Sequence, residues 1–262
     1  MAHRWTWTEL PATVRAEIES VTGPVHTAEP LAEGLTSPFT AVLRAPGRRV
    51  FVKGTPNTNG KAVTHQRREA LVAPSVGGHV APTMLAHLTP PGWDVLLFSH
   101  VAGRYADVSP NGADLPSLAH ALSRAGRIRT PHGLELPPLA ERWAEHLTPA
   151  ERSLLGGTHL LHTDLNPWNV LIGDDGNGKR ACFVDWGMSA IGPAWAELAY
   201  VYMLLLWSDH TPESARAWLR QFPTWRATCN AGIRAFVTGA TAEANARNLP
   251  DQAERWTSLL AR

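Results

Sequence analysis

The apolar and polar positions change rhythm near residue 100: the first part of the chain is cut into short β-leaning runs, the later part into longer helical ones. Val14, Ile18 and Val21 recur at helical spacing between Thr8 and Val21, behind Pro11, and Gly23-Pro24 ends the helix they predict. Val25 to Glu33, Phe39 to Ala45 and Arg49 to Lys53 read as strands of a meander, separated by Gly34 and by Pro46-Gly47, with the third strand ending at Lys53. After a loop of Gly, Thr, Pro and Asn, Lys61 to Ala73 predicts a helix that stops before Pro74. Thr83 to Leu88 and Trp93 to Phe98 form a hairpin around Pro90-Pro91-Gly92, and the chain leaves the sheet at Val101-Ala102-Gly103.

Beyond that point Leu115 to Gly126, Pro138 to Leu147 and Pro149 to Leu155 read as helices. His159 to His162, Val170 to Ile172 and Ala181 to Val184 read as short strands, the last two joined by a turn over Asp174 to Gly178. From Ala194 onward the pattern is helical. The order predicts an α+β protein of two lobes, a β-rich N-lobe over 1–100 and a mainly helical C-lobe over 101–262.

Composition narrows the partners. Hydrophobic residues at 44% and charged ones at 18% are a globular balance, and a formal charge of +1 with no stripe of Lys or Arg argues against nucleic acid. Cys182 and Cys229 lie far apart without metal-ligand spacing, so neither a disulfide framework nor a zinc site is expected, and a reducing cytoplasm fits best. The amino terminus lacks the basic-then-apolar order of a secretory signal. The most apolar run, Ala194 to Trp207, is interrupted by Glu197 and falls short of the ~20 residues that span a bilayer, so it predicts a buried helix and no membrane partner.

The chemistry concentrates in His162-Thr163-Asp164-Leu165-Asn166-Pro167-Trp168-Asn169, a loop between two short strands, with Asp185 after the next hairpin. His162, Asp164 and Asn169 have the spacing of a kinase catalytic loop, and Val184-Asp185-Trp186-Gly187 stands where kinases carry Asp-Phe-Gly. Phosphoryl transfer needs Mg²⁺, a hard cation that takes oxygen ligands, and Asn169 and Asp185 can supply them. It also needs a carboxylate that orients the acceptor hydroxyl and takes its proton, the role that suits Asp164, while His162 braces the loop. Upstream, Lys53 ends an apolar strand, and Glu69 is the only acidic residue between Glu33 and Asp94 and lies in the next helix. Kinases use such a pair at the α- and β-phosphates. Glu33 to Phe39 is the candidate phosphate-covering loop, with Gly34 and Ser37 as backbone donors, and an ordinary hairpin turn explains it equally well.

With these residues in place the chain resembles the aminoglycoside phosphotransferase and choline kinase-like family over nearly its whole length, most specifically over 159–199. The resemblance implies a bilobal protein-kinase-like fold, ATP and Mg²⁺ as cofactors, and transfer of the γ-phosphate to a small hydroxylated acceptor, an antibiotic or a metabolite. It implies Asp164 as base, Asn169 and Asp185 as metal ligands, Lys53 and Glu69 as a pair, and adenine against the backbone of Ser99, His100 and Val101. A catalytically silent nucleotide-binding scaffold is the alternative, and nothing in the sequence chooses ATP over GTP. Thr163 stands where Gly is usual, Trp168 where a small or polar residue is usual, Gly187 where an acid is frequent, and Glu197 where Asp is usual. Thr163 and Trp168 border the expected acceptor site. The helices after Asp185 show no surplus of carboxylates, which weighs against a polycationic aminoglycoside.

Overall fold

Breakers at Gly23-Pro24, Pro46-Gly47 and Pro90-Pro91-Gly92 shape the first elements of the computed structural model, which describes residues 3–31, 37–174 and 178–261. Helix α1 (Ala12–Thr22) is followed by β1 (Thr27–Pro30), β2 (Phe39–Ala45) and β3 (Arg48–Pro56), then by α2 (Gly60–Val76), β4 (Met84–Leu88) and β5 (Trp93–Ser99). The strands make one antiparallel sheet of order β1-β2-β3-β5-β4. Strand alternation assigns its two faces. Val50, Val52, Val95 and Leu97 pack with Leu10, Val14 and Ile18 around α1, whereas Leu96 and Phe98, with Phe51 against them, pack with Ala70 and Ala73 of α2.

The second group of elements comprises β6 (Gly103–Tyr105), α3 (Leu115–Ala125), α4 (Leu139–Arg142), α5 (Pro149–Leu154), β7 (His159–Leu161), β8 (Val170–Asp174), β9 (Lys179–Phe183) and β10 (Ala190–Gly192). Helices α6 (Ala194–Trp207), α7 (Pro212–Leu219), α8 (Pro223–Arg226), α9 (Asn230–Ala246) and α10 (Pro250–Thr257) complete it. Strand β10 pairs with β7, and β6, β8 and β9 form a three-stranded sheet. By its contacts the chain divides into Met1–Gly103 with Val184–Gly187, and Arg104–Phe183 with Met188–Arg262. The short excursion Val184–Gly187 therefore belongs with the first unit although its sequence position lies in the second. Among the described residues no helix is long and apolar enough to cross a membrane.

Several bounds differ from the sequence reading. Strand β3 does not end at Lys53, because Gly54, Thr55 and Pro56 continue the ladder opposite Val95, Asp94 and Trp93. Helix α2 runs through Pro74 to Val76: a proline near the carboxyl end forfeits one amide bond without stopping the last turn, which Gly77 closes by donating to the Ala73 carbonyl. The helix expected over Pro138 to Leu147 is confined to Leu139–Arg142, since Trp143 leaves helical geometry and buries its ring. Strands β6 and β10 were not anticipated. Gly34 and the centre of the turn after Asp174 lie outside the described residues.

A buried polar set fixes α2 against the sheet. Gln66 donates to the Asp94 carboxylate at 2.8 Å and to its carbonyl at 2.6 Å, and accepts from Thr55 at 3.0 Å. Arg67 and His87 contact the other Asp94 oxygen at 3.0 and 3.1 Å. Replacing Gln66 by Leu takes a neutral donor from a buried carboxylate, which typically costs about 1–3 kcal/mol. Gln66→Leu should lower the thermal midpoint accordingly, and an unchanged midpoint would show that Arg67 and His87 suffice for Asp94.

Candidate active site

In the first unit the site is built on strand alternation. Phe51 and Lys53 point to the α2 face, while Val50 and Val52 enter the opposite core. Glu69 lies three residues after Gln66 on α2, so the same helical face carries both. Lys53 and Glu69 are buried, and the ammonium contacts Glu69 Oε2 directly and Asp185 Oδ1 at 3.0 Å. Burial opposes the charged ammonium, but Asp185 and Glu69 outweigh it and raise the Lys53 pKa. Burial pushes the Glu69 carboxyl up, against the lowering effect of Lys53, and the Trp186 amide hydrogen-bonds it as well.

Asp185 sits at φ 64°, the left-handed region, so the backbone turns sharply at this carboxylate. Gly187 follows where the turn meets α2. A Cβ at 187 would lie 3.1 Å from both the Cβ and the carbonyl oxygen of His65, so the glycine permits a close approach that a larger acidic residue would obstruct. Arg68 reaches the Gly187 carbonyl at 3.4 Å. At the end of β5, Ser99 is spent on the sheet: its amide donates to Thr83 O at 2.8 Å and its hydroxyl accepts from Thr83 N at 3.0 Å. His100 and Val101 follow in coil, where burial, with Arg49 nearby, lowers the His100 pKa. Ser37 is buried just before β2, and its partner candidate Gly34 is not among the described residues.

In the second unit, the register of β7 with β10 pairs Leu161 with Ala190, and continuing it sets Thr163 beside Met188. Thr163 closes that line with its side chain, donating to Met188 O at 2.6 Å. Its φ is 63°, an uncommon conformation for a β-branched residue, at the position where glycine was the expectation. Two charged side chains hold it there. Arg142 donates to the Thr163 hydroxyl at 3.0 Å, to Met188 O at 2.9 Å and to the Tyr200 hydroxyl at 2.9 Å. From α6, Glu197 accepts the amides of His162 and Thr163, the latter at 3.3 Å. Burial pushes the Glu197 carboxyl up to about 7, against those amides and Arg142.

The rest of the loop organises around Asp164. Its amide donates to His162 Nδ1 at 3.2 Å, so the buried imidazole braces the backbone as an acceptor. Asn169 Nδ2 donates to Asp164 O at 2.8 Å and approaches Oδ2 at 3.4 Å, which leaves the amide oxygen as the atom able to ligate a metal. Asn166 holds the turn through Asp164 O at 3.2 Å and the Trp168 amide at 2.9 Å. A pocket of about 90 Å³ opens beside Thr163 and Asp164. Trp168 is not among its lining residues, and is 61% exposed. Arg142, Met188, Tyr200, Glu243 and Arg247 are. Sequence reasoning singled out none of these for the site. Glu243 and Arg247 entered it only as part of a charge total, and no local spacing marks Arg142.

The sequence profile of the phosphotransferase enzyme family (APH) matches residues 102–229. No curated protein sequence matches the chain. Among solved structures, the aminoglycoside phosphotransferase APH(4)-Ia superposes with a TM-score of 0.63 at 14% identity, covering 95% of this chain and 97% of that one. The choline kinase LicA from Streptococcus pneumoniae gives 0.61 at 14% identity, with the same coverage. The aminoglycoside phosphotransferase APH(3'')-Id from Streptomyces rimosus, solved with ADP and streptomycin, gives 0.56 at 16%, covering 95% and 97%. The fold is thus protein-kinase-like, and the resemblance noted in the sequence stands.

Holding Thr163 at positive φ costs of order 1–3 kcal/mol, which the Arg142 contacts offset. Arg142→Met should therefore lower kcat about tenfold with little change in KM for nucleotide, and should do so less in a Thr163→Gly background, where φ is free. Equal losses in the two backgrounds would refute the role of Arg142 in holding Thr163. The raised Glu197 pKa predicts a pH effect of definite sign. Between its ordinary value of 4.5 and about 7 the folded chain binds more protons than the unfolded one, so this contribution to stability falls as pH rises through that window. The thermal midpoint of Glu197→Gln should show a flatter slope there than the parent, and identical slopes would count against it.

Proposed function

We propose that this chain, a phosphotransferase of the kind whose profile spans 102–229, transfers the γ-phosphoryl group of ATP to a hydroxyl of a small molecule. The observation that carries this reading is Lys53, an ammonium buried between Glu69 and Asp185. Two carboxylates keep it charged and aimed, which suits a group that must meet the α- and β-phosphates.

Asp164 is the carboxylate for the acceptor. As the hydroxyl oxygen bonds to the γ-phosphorus, its proton passes to Asp164. The bond from the γ-phosphorus to the bridging oxygen breaks, and ADP leaves with that electron pair. The Asn169 amide hydrogen-bonds Asp164 and limits where the carboxylate can point. Asp185 and the Asn169 oxygen are each donors of the kind that Mg²⁺ accepts, and this ion commonly completes its shell with phosphate oxygens and water. Mg²⁺ would supply charge neutralisation on the β- and γ-phosphates. His100 and Val101 are the hinge groups for adenine, since the Ser99 amide is already engaged. The structural neighbours include an aminoglycoside phosphotransferase and a choline kinase, which supports a small hydroxylated acceptor as a class.

Asp164→Ala tests the assignment. Loss of the base should lower transfer about 100- to 10,000-fold while nucleotide binding persists, as read by coupled ADP release over hydroxylated antibiotics and metabolites. A variant as fast as its parent would sink the mechanism.

A further inference from the structure

A second cavity, of about 310 Å³, lies wholly within the second unit and shares no lining residue with the pocket beside Asp164. Its volume falls at the lower end of the roughly 300–1,000 Å³ common for small-molecule sites. Helix α7 and its C-cap bring Arg216 and Arg220, α8 brings Trp225, and the start of α9 brings Ile233 and Arg234. Three arginines thus surround one cavity, and no aspartate or glutamate is among the described residues that line it.

Pairing decides which of these charges are open. Arg216 is balanced: it donates to the Glu213 carboxylate at 3.2 Å and to the Ser258 carbonyl at 2.6 Å, and its side chain is only 12% exposed. The Ser258 hydroxyl meets that of Tyr202 at 2.7 Å, so this guanidinium is fixed in place with N–H donors to spare. Arg220 and Arg234 differ. Among the described residues neither guanidinium has an ion pair, so two positive charges at the cavity are uncompensated. Arg216 and Arg220 stand four apart, a spacing at which like charges on a helix repel, and Arg226 holds that end of α7 by donating to the Arg220 carbonyl at 2.7 Å. An anion entering the cavity relieves the repulsion.

The cavity also offers apolar surface. Leu260 is 43% exposed and Trp225 and Ile233 are half-buried, whereas Leu259 is buried and belongs to the core. Guanidinium groups match phosphate oxygens in a two-pronged geometry. A phosphate monoester near neutral pH carries close to two negative charges, which equals the two left open here, while a carboxylate or sulfonate carries one. We propose that this cavity binds a phosphate monoester borne on a small apolar or aromatic molecule, with Arg220 and Arg234 taking the phosphate, Arg216 adding a fixed donor, and Trp225, Ile233 and Leu260 receiving the body.

Phenyl phosphate serves as the probe, titrated into the full chain by calorimetry above its second pKa of about 6. Binding should saturate, and Arg220→Gln and Arg234→Gln should each weaken it at least about tenfold, equivalent to 1.4 kcal/mol, with Arg234→Glu weaker still. Both residues are exposed, so the variants should keep the parent's thermal midpoint, which separates a lost site from a lost fold. Benzenesulfonate has the same ring and one charge, and inorganic phosphate has the charge and no ring. Each should bind at least about tenfold more weakly than phenyl phosphate. The proposal is overturned if phenyl phosphate shows no saturable binding, or if either competitor matches it. It is equally overturned if both glutamine variants bind as the parent does, since the probe then sits elsewhere on the chain.

Discussion

Removing the Lys53 ammonium from water carries a penalty of several kcal/mol unless carboxylates surround it, and much of the first unit can be understood as the means of surrounding it. Alternation along β3 aims the lysine at α2. The helix presents Glu69 from the face that also carries Gln66, and the Gln66 contacts with Asp94 keep that face on the sheet. The second carboxylate, Asp185, arrives from 132 residues away on a four-residue excursion that joins this unit. Gly187 lets the excursion press against His65. Each feature looks local, but each is a condition for holding one positive charge between two carboxylates.

The loop 162–169 in the second unit faces the complementary difficulty. Its backbone, not a side chain, is the polar group to be satisfied while buried. Glu197 accepts two successive amides, that of His162 on one carboxylate oxygen and that of Thr163 on the other. Thr163 adds a backbone angle that glycine would adopt freely, and its hydroxyl then becomes the handle by which Arg142 holds it. A departure at 163 is therefore coupled to an arginine 21 residues earlier. Asp164 inherits its position from both neighbours and its orientation from Asn169.

This explains which parts could be read from sequence. Lys53, Glu69, Asp164, Asn169 and Asp185 stood out because phosphate chemistry demands particular residue types, and short segments or neighbouring elements carry them. Strand β2 emerged with its observed bounds, since Phe39 to Ala45 is apolar and flanked by breakers on the carboxyl side. The continuation of β3 was hidden because Gly54-Thr55-Pro56 has loop composition and becomes strand only through pairing with β5. Arg142 was hidden for a related reason: its partners at 163, 188 and 200 are neighbours only after β7 meets β10 and α6 packs behind them. Pro74 misled because a proline near a helix end loses little, whereas the same residue in mid-helix would have ended it.

The acceptor is harder to read than the reaction for a physical reason. The phosphates are the same in every turnover, so the groups that handle them form a compact and repeated set. The pocket beside Asp164 is lined from several elements, α4, the loop 162–169, α6, α9 and α10, and a shared fold at 14% identity fixes none of their side chains. A charge total over the helices cannot substitute for that geometry, because a carboxylate counts the same whether it faces solvent, a ligand or an arginine. Glu243 shows the difference. In a tally it is one more acid, but in the folded chain it accepts the Trp143 indole N–H and lies 3.7 Å from Arg247, so its charge and that of the arginine offset each other. Which charges pair with which appears only when the helices are folded.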